Sequence, residues 1–232
     1  MSQNLKFTDH IQTIATRCRS LSGWILRTFI TRDSVPMMKL FNSLLIPRID
    51  YCSQLWAPHL IKEWEMLEQI QRRFTSRISG LEELNYWERL KKLRQYSIER
   101  RTERYQIIYI WKIIEGLAPN LATNKITVRN NERRGKYCIV PKFTTAKTCS
   151  SKLTTIRENT FSIRALKLFN CLPPSIRNIT GVGVNTFKHH LDHLLNTVPD
   201  QPSVSGYSGS RAARTNSIID QILISGGGES RS

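Results

Sequence analysis

Apolar residues in the first half of the chain recur every third or fourth position, which is the spacing of one buried face of an α-helix. This pattern predicts a first helix over residues 9–30, with Asp9 as its N-cap. A second helix is predicted to be capped by Ser34 or Asp33 and to be kinked or broken by Pro47. Helical spacing then resumes as far as Trp56. Helices with a single apolar face must bury it against one another, so a bundle is expected.

The strongest periodicity runs from Leu60 to Leu81, in a predicted helix that ends near Ser79 and Gly80. Its apolar stripe consists of Leu60, Trp64, Leu67, Phe74, Ile78 and Leu81. Gln71 interrupts the stripe, and its neighbour Ile70 can fill the gap. The opposite face is predicted to be polar and to carry Glu65, Glu68, Arg72 and Arg73.

Two more helices are predicted to begin at Asn85 and at Ser97, and the second of them ends at Gly116. Residues 107–114 are apolar almost all round, so this half of the helix should lie in the core. The preceding half carries several arginines and is expected to emerge at the surface.

The pattern changes after Asn120. Alternating β-branched residues around the sequence Asn-Asn-Glu-Arg-Arg-Gly predict a short hairpin. Residues 144–155 are polar and are expected to form an exposed loop or an edge strand. Two amphipathic helices should follow, with the sequences FSIRALKLFNC and TFKHHLDHLLNTV, the second of them capped by Asn185. The predicted fold class is therefore mainly α: a helical bundle followed by a small β hairpin and further short helices.

The charge of the chain changes the range of expected partners. Lysine and arginine total 35 against 18 acidic residues, for a formal net charge of +17. Such an excess favours polyanions, because neutralised phosphates release their counterions. Nucleic acid is the first candidate partner and an anionic membrane surface the second, while a basic surface that only maintains solubility is the alternative to both.

Few patterns point to catalysis. The aspartates are scattered over different predicted elements, whereas metal-dependent phosphoryl transfer needs converging carboxylates. His189 and His193 lie one helical turn apart, but no third and fourth ligand is evident, so a polar helix face is the preferred interpretation. We therefore predict no metal, no cofactor and no enzymatic activity of this chain by itself.

Cysteine use and hydropathy suggest a compartment. The five cysteines are widely spaced, which indicates free thiols in a reducing environment. The sequence shows neither an apolar core of signal-peptide length near its start nor a run long enough to span a bilayer. An intracellular location, nuclear or cytoplasmic, is expected, without membrane association.

Basic residues alternating with aromatic residues are the positive signal for function. They suggest a nucleic-acid-binding surface, because guanidinium groups pair with phosphate oxygens and aromatic rings stack on bases. The candidate binding residues are Arg72, Arg73, Arg77, Lys91, Lys92, Arg94, Arg100, Arg101 and Arg104, interspersed with Tyr86, Tyr96 and Tyr105. A solvated charged face with buried aromatic residues would give the same pattern.

The order of several segments resembles the C-terminal part of the reverse transcriptase of non-LTR (LINE-type, jockey-like) retrotransposons. The resemblance extends from Phe7 to about Tyr207. The matching segments are FTDHI, LLIPRIDYCSQLWAP, LEQIQRRFTSRISGL, LNYWERLKKL, IERRTERYQIIYIWKIIEGLAPNL, RRG, FSIRALKLFNCLP, NTFKHHLD and PDQPSVSGY. No single segment is specific to this family, but the occurrence of all nine segments in the same order is.

The resemblance implies a division of the chain. Residues 1–81 would correspond to the thumb, which grips the template-primer duplex, and residues 82–198 to a post-thumb region with a small β element. Apart from the resemblance, residues 199–232 are expected to form a flexible tail, because from Pro199 the sequence is rich in proline, glycine and serine. In such enzymes the catalytic palm precedes this region, and its Tyr-Ala-Asp-Asp-type motif is absent from these 232 residues.

Together these observations lead to the expectation of a truncated polymerase that retains sequence-tolerant binding to RNA or to an RNA–DNA hybrid. Its other expected partner is the missing palm region of the parent polymerase. Two alternatives stay open: a protein-interaction or structural module, and a non-functional remnant of a mobile element.

Overall fold

A computed structural model describes residues 7–120, 126–132, 135–140, 158–202 and 216–226. It is mainly helical with one two-stranded antiparallel hairpin, which confirms the predicted fold class. The helices are α1 Thr8–Thr28, α2 Ser34–Leu40, α3 Ile46–Asp50, α4 Ser53–Trp56, α5 Ile61–Thr75, α6 Tyr86–Leu93, α7 Ile98–Ile114, α8 Phe161–Cys171, α9 Pro174–Arg177, α10 Val184–Thr197 and α11 Ile218–Gly226. The strands are β1 Val128–Asn131 and β2 Gly135–Cys138, and a π-helical turn, Phe41–Leu45, joins α2 to α3.

The chain forms two compact units, Met1–Thr102 and Glu103–Ser232. Helix α7 contributes its first turns to the first unit and the remainder to the second. The boundary after Thr102 separates two units by how their residues pack. The predicted boundary after residue 81 separates two regions of a polymerase, so the two boundaries need not coincide. The assignment of residues 1–81 to a thumb stays a prediction.

In the first unit, α1 and α5 run in the same direction. Near their N-terminal ends, the hydroxyl of Thr8 donates a hydrogen bond of 2.7 Å to the carboxylate of Glu63. Beyond their C-terminal ends, the backbone N–H of Ser79 donates to the carbonyl of Arg32 at 2.9 Å. The two helices share a core with α2, α3 and the π-helical turn, in which the rings of Phe41 and Phe74 lie 5.0 Å apart.

Pro47 does not break the helical segment in which it lies. It falls in the first turn of α3, where its missing N–H is least costly, and the π-helical turn directly precedes it. In that turn Ile46 donates its N–H to the carbonyl of Phe41, five residues back. The segment ends instead at Asp50, and Cys52, which precedes α4, has a φ of 52° in the left-handed region.

Of the residues predicted to cap or begin helices, Asn85 and Ser97 do so, and Asp33 occupies the N-cap position of α2 without a side-chain hydrogen bond. Two further predictions, for Asp9 and Asn185, are wrong. Asn85 caps α6, and the hydroxyl of Ser97 accepts the N–H of Arg100 in the first turn of α7. Asp9 lies inside the first turn of α1. Its negative charge interacts favourably with the positive end of the helix dipole, but its side chain does not cap the helix. Helix α10 begins one residue before Asn185, with Gly183 in the N-cap position.

The second unit is built around the C-terminal half of α7. Trp111 is 1% exposed, stacks on Phe187 with the ring planes 7° apart, and donates its indole N–H to the carbonyl of Ile179. The predicted hairpin is present, and Val128 pairs with Cys138 in its register. The side-chain amide of Asn170 holds β2 against α8 through two hydrogen bonds of 2.8 Å with the backbone of Cys138.

The prediction of a loose tail after residue 199 is wrong for residues 216–226. These residues include α11, whose Ile218 and Gln221 are buried. The buried carboxylate of Glu103 accepts hydrogen bonds from the hydroxyl of Ser217 and from the backbone N–H of Ile218. A carboxylate at a helix N-terminus satisfies a backbone donor that has no partner within the helix. Composition alone suggested a coil because this partner lies 115 residues away.

The polar stretch at 144–155 lies outside the described residues, as do the remaining parts of the predicted tail, 203–215 and 227–232. Within the described part of the chain, no helix combines the length and the apolar character needed to cross a bilayer.

Candidate nucleic-acid interface

The C-terminal end of α5 and the whole of α6 form one supported structure in the first unit. Helix α6 starts with a capping box in which Asn85 and Glu88 exchange hydrogen bonds between side chain and backbone. Arg89 is buried and donates from its guanidinium to the carbonyls of Leu84, at 3.0 Å, and Arg72, at 3.3 Å. Burial lowers the pKa of Arg89, and the nearby charge of Arg72 lowers it further, against an opposing effect of Tyr86.

A buried polar network lies beneath this structure. The hydroxyl of Tyr86 donates to the carboxylate of Glu68 and lies 3.2 Å from the side-chain oxygen of Gln71. Glu68 also accepts the backbone N–H of Glu99, and Gln71 donates to the carbonyl of Tyr96. Glu68 is therefore buried, although the sequence placed it on the polar face of α5. These contacts fix α6 and the start of α7 against α5.

Six of the nine predicted binding residues are exposed and lie on this structure. We call them the basic face: Arg72, Arg73 and Arg77 from α5 and the turn after it, and Lys91, Lys92 and Arg94 from α6 and its C-cap. The guanidinium of Arg72 lies 4.8 Å from the centre of the Tyr86 ring, and the ammonium of Lys92 lies 3.1 Å from the carbonyl of Gly80. These two contacts join the α5 group to the α6 group.

The six charges of the basic face are available to a ligand. None of them forms a salt bridge with another residue in the described ranges. Of the acids in this stretch, Glu88 is used in the capping box, and Glu82 and Glu83 are exposed in the turn between the helices.

The other three predicted residues have different environments. Arg100 is 0% exposed, so the prediction that it lies at the surface is wrong. Arg101 pairs with Asp50 at 2.9 Å, and Arg104 forms a bidentate pair with Asp192. The first half of α7 is therefore buried or paired, because its charged side chains meet acids and polar groups from distant parts of the chain. The expected surface position of all three arginines is corrected accordingly.

The aromatic residues among these cations do not form an open stacking platform. Tyr86 is buried and holds Glu68, while Tyr96 and Tyr105 are half-buried. The aromatic side chain that the sequence analysis overlooked is Trp24 on α1, which is 49% exposed. Trp24 lies off the apolar stripe of the first predicted helix, and a side chain off the stripe is expected to face away from the core. The stripe consists of Ile11, Ile14, Ala15, Cys18, Leu21, Ile25 and Phe29.

Other reactive side chains do not converge in the described ranges. No group of three histidine, cysteine or acidic residues there is arranged to hold a metal ion. His189 and His193 are exposed, and Asp192 beside them pairs with Arg104. Burial raises the pKa of Cys138 and of Cys171 to about 12, which keeps both thiols protonated and unreactive at neutral pH.

Comparison with protein-family models, with curated proteins and with solved structures finds no match for this chain.

Proposed function

We propose that this protein binds RNA or an RNA–DNA hybrid with little sequence preference, as a thumb-like part of a non-LTR reverse transcriptase. The observation that carries the proposal is the basic face: six exposed cations on two joined helices, without salt bridges in the described chain. Such cations contact phosphates, which position a nucleic acid without reading its bases. The resemblance of nine ordered sequence segments to this family supports the same proposal independently.

The surroundings of the basic face favour nucleic acid over a membrane surface. Helices that insert at a membrane interface combine cations with exposed apolar side chains. The large exposed apolar residues of the described chain include none between Ile61 and Ile108. The helices that carry the basic face therefore have the charge that an anionic surface attracts, but they expose none of the apolar side chains that a membrane interface also takes up. The exposed Trp24 and Ile30 lie on and just after α1.

The test is the salt dependence of binding. The variant replaces Arg73, Arg77 and Lys91 with glutamine, since none of the three makes a side-chain hydrogen bond with another described residue. It should weaken binding to unrelated RNA sequences alike and lower the slope of log affinity against log salt by about two to three. The free energy of unfolding should change little, because exposed charges contribute only tenths of a kcal/mol.

A matched control removes three exposed charges elsewhere: Lys39→Gln, Lys62→Gln and Lys167→Gln. Its net charge equals that of the first variant, so a general effect of charge would weaken both proteins equally. Equal losses, or an unchanged slope in the first variant, would disprove the proposed interface. Retained binding by the control with loss in the first variant supports it.

A protein-interaction module is the second candidate, and one observation favours it. Tyr51 and Leu55 are 75% and 71% exposed at the ends of α3 and α4, which is unusual for large apolar side chains so close together. If interaction with a protein is the main role, Leu55→Ser should abolish self-association seen by sedimentation and leave RNA affinity unchanged. A monomeric parent protein would count against a role in self-association.

A further inference from the structure

The end of α1 carries an exposed aromatic ring among cations. Trp24 is 49% exposed, with Arg27 three residues after it and Arg17 seven residues before it. These spacings place all three side chains on the same side of the helix. Arg17 and Arg27 are exposed, and neither forms a salt bridge with a described residue. The only acid of α1 is Asp9, in its first turn.

Local geometry brings the guanidinium of Arg27 close to the Trp24 segment. A Cβ atom added to Gly23 would lie 3.3 Å from Nη1 of Arg27. The guanidinium therefore lies along the backbone of α1, next to the residue that precedes Trp24. Trp24 also makes an edge-to-face contact with Phe29 at a ring distance of 6.4 Å. This contact supports one part of the indole ring and leaves about half of the residue open to solvent.

The end of α1 adjoins the basic face. The guanidinium of Arg32 bonds the last carbonyls of α1, including that of Leu26 at 2.5 Å, and its own carbonyl accepts the N–H of Ser79. The next residue, Gly80, accepts a hydrogen bond from Lys92 of the basic face. These hydrogen bonds, two of which use the side chains of Arg32 and Lys92, link the segment just after α1 to Lys92, and Arg77 lies two residues before Ser79.

We infer that Trp24 is a stacking site for an unpaired base of a nucleic-acid strand whose phosphates are held by the basic face and by Arg17 and Arg27. Indole rings stack on bases of any sequence, and a strand bound through its phosphates presents its bases to nearby rings. The absence of acids after Asp9 on α1 suits a polyanion. The partner of this site is therefore a single strand or the unpaired end of a template. The inference rests on the proposed function, because one stacked base would not hold a strand that the cations do not hold.

The experiment compares two DNA probes of equal length, oligothymidylate and a strand of abasic sites with the same number of phosphates. Trp24→Leu retains an apolar side chain but has no aromatic face, and Trp24→Phe retains a smaller one. For Trp24→Leu we expect affinity for oligothymidylate to fall about fivefold or more. Its affinity for the abasic strand and its salt slope should equal those of the parent. Trp24→Phe should recover part of the loss, and melting curves verify that each variant is folded.

The outcomes separate this inference from the proposed function. If the parent protein binds neither probe, the stacking site is disproved, whereas the proposed function is decided separately by the salt dependence of RNA binding. If the parent binds both probes and Trp24→Leu binds them as the parent does, the stacking site alone is disproved, and the exposed ring is free for a protein surface instead. Equal losses of affinity for the two probes would also disprove the stacking site, because the abasic strand has no base on which the ring could stack.

Discussion

Trp111 is packed face to face against Phe187, with the ring centres 4.3 Å apart, and its indole N–H is bonded to a backbone carbonyl. Replacing it with alanine removes a fully buried ring and leaves one carbonyl without its donor. We expect Trp111→Ala to lower the free energy of unfolding by about 3–5 kcal/mol, measured by denaturant titration. Trp24→Ala is the control, and it should cost about 1–2 kcal/mol, clearly less than Trp111→Ala, because about half of that residue is already exposed. Similar losses in the two variants would contradict the packing described for the second unit.

Arg104 illustrates how a charged residue can be unavailable to a ligand. Both of its bonds to Asp192 are short, at 2.5 Å and 2.7 Å, and only 15% of its side chain is exposed. Bidentate pairs of this kind are stronger than ordinary surface ion pairs.

We therefore expect Arg104→Gln to lower the free energy of unfolding by about 1–2 kcal/mol while leaving the salt slope of RNA binding unchanged. Asp192→Asn should have a similar effect, and the double variant should lose less than the two single losses combined. A reduced salt slope with unchanged stability would show that Arg104 contacts phosphate after all.

At the level of elements, α6 depends on its first residues. It has eight residues, too few for a stable isolated helix, and its start is fixed by the capping box of Asn85 and Glu88. Three of the six cations of the basic face lie on α6 or at its C-cap. The start of this helix therefore fixes where those charges are presented.

Asn85→Ala should lower the free energy of unfolding by about 1 kcal/mol, because the N–H of Glu88 loses its acceptor. Asn85→Asp retains an acceptor and should be close to the parent. Asn42→Ala, at an exposed position of the π-helical turn, serves as a control and should stay within about 0.5 kcal/mol. Thermal melting curves of the three variants test this prediction. Equal stability of Asn85→Ala and Asn42→Ala would mean that the cap contributes nothing to the free energy of unfolding.

Basic residues also lie in the last turns of α1, α5 and α6. Cations at these positions are favoured by the negative end of the helix dipole, whatever else they do. This contribution is only about 0.3–1 kcal/mol for each exposed charge and falls with added salt. It does not require the cations to cluster on two joined helices, as those of the basic face do.

For the whole molecule, the formal net charge of +17 favours association with polyanions, but it does not identify the surface that binds them. The structure places the cations in different environments: some pair with acids, such as Arg101, and some bond carbonyls in less exposed positions, such as Arg32 and Arg89. Others are exposed, including Lys92, whose ammonium also bonds the carbonyl of Gly80. Only the exposed group can exchange its counterions for phosphates. The basic face is the densest set of such charges that we find on the described part of the first unit.

Most of the secondary structure could be predicted from the sequence. Helical periodicity, the capping residue Asn85 and the turn residues around the hairpin act over a few positions, so they are visible in the chain itself. The core position of Trp111 followed in the same way, because the residues around it are apolar on every side of the helix. The exposed positions of Arg72 and Arg73 followed from their place opposite the stripe of α5.

Only the tertiary structure decided which arginines are free. Arg101 and Arg104 lie on a helix whose local pattern is basic, and their acidic partners are 51 and 88 residues away along the chain. In the same way, α11 is held in place by the hydrogen bonds that Glu103 accepts at its start, and Glu68 can be buried because Tyr86 donates to its carboxylate. Periodicity identifies the side of a helix that faces the core, but it cannot identify charged groups that meet across the core. Those pairings arise from packing, because a buried charge is stable only beside a partner that the fold brings to it.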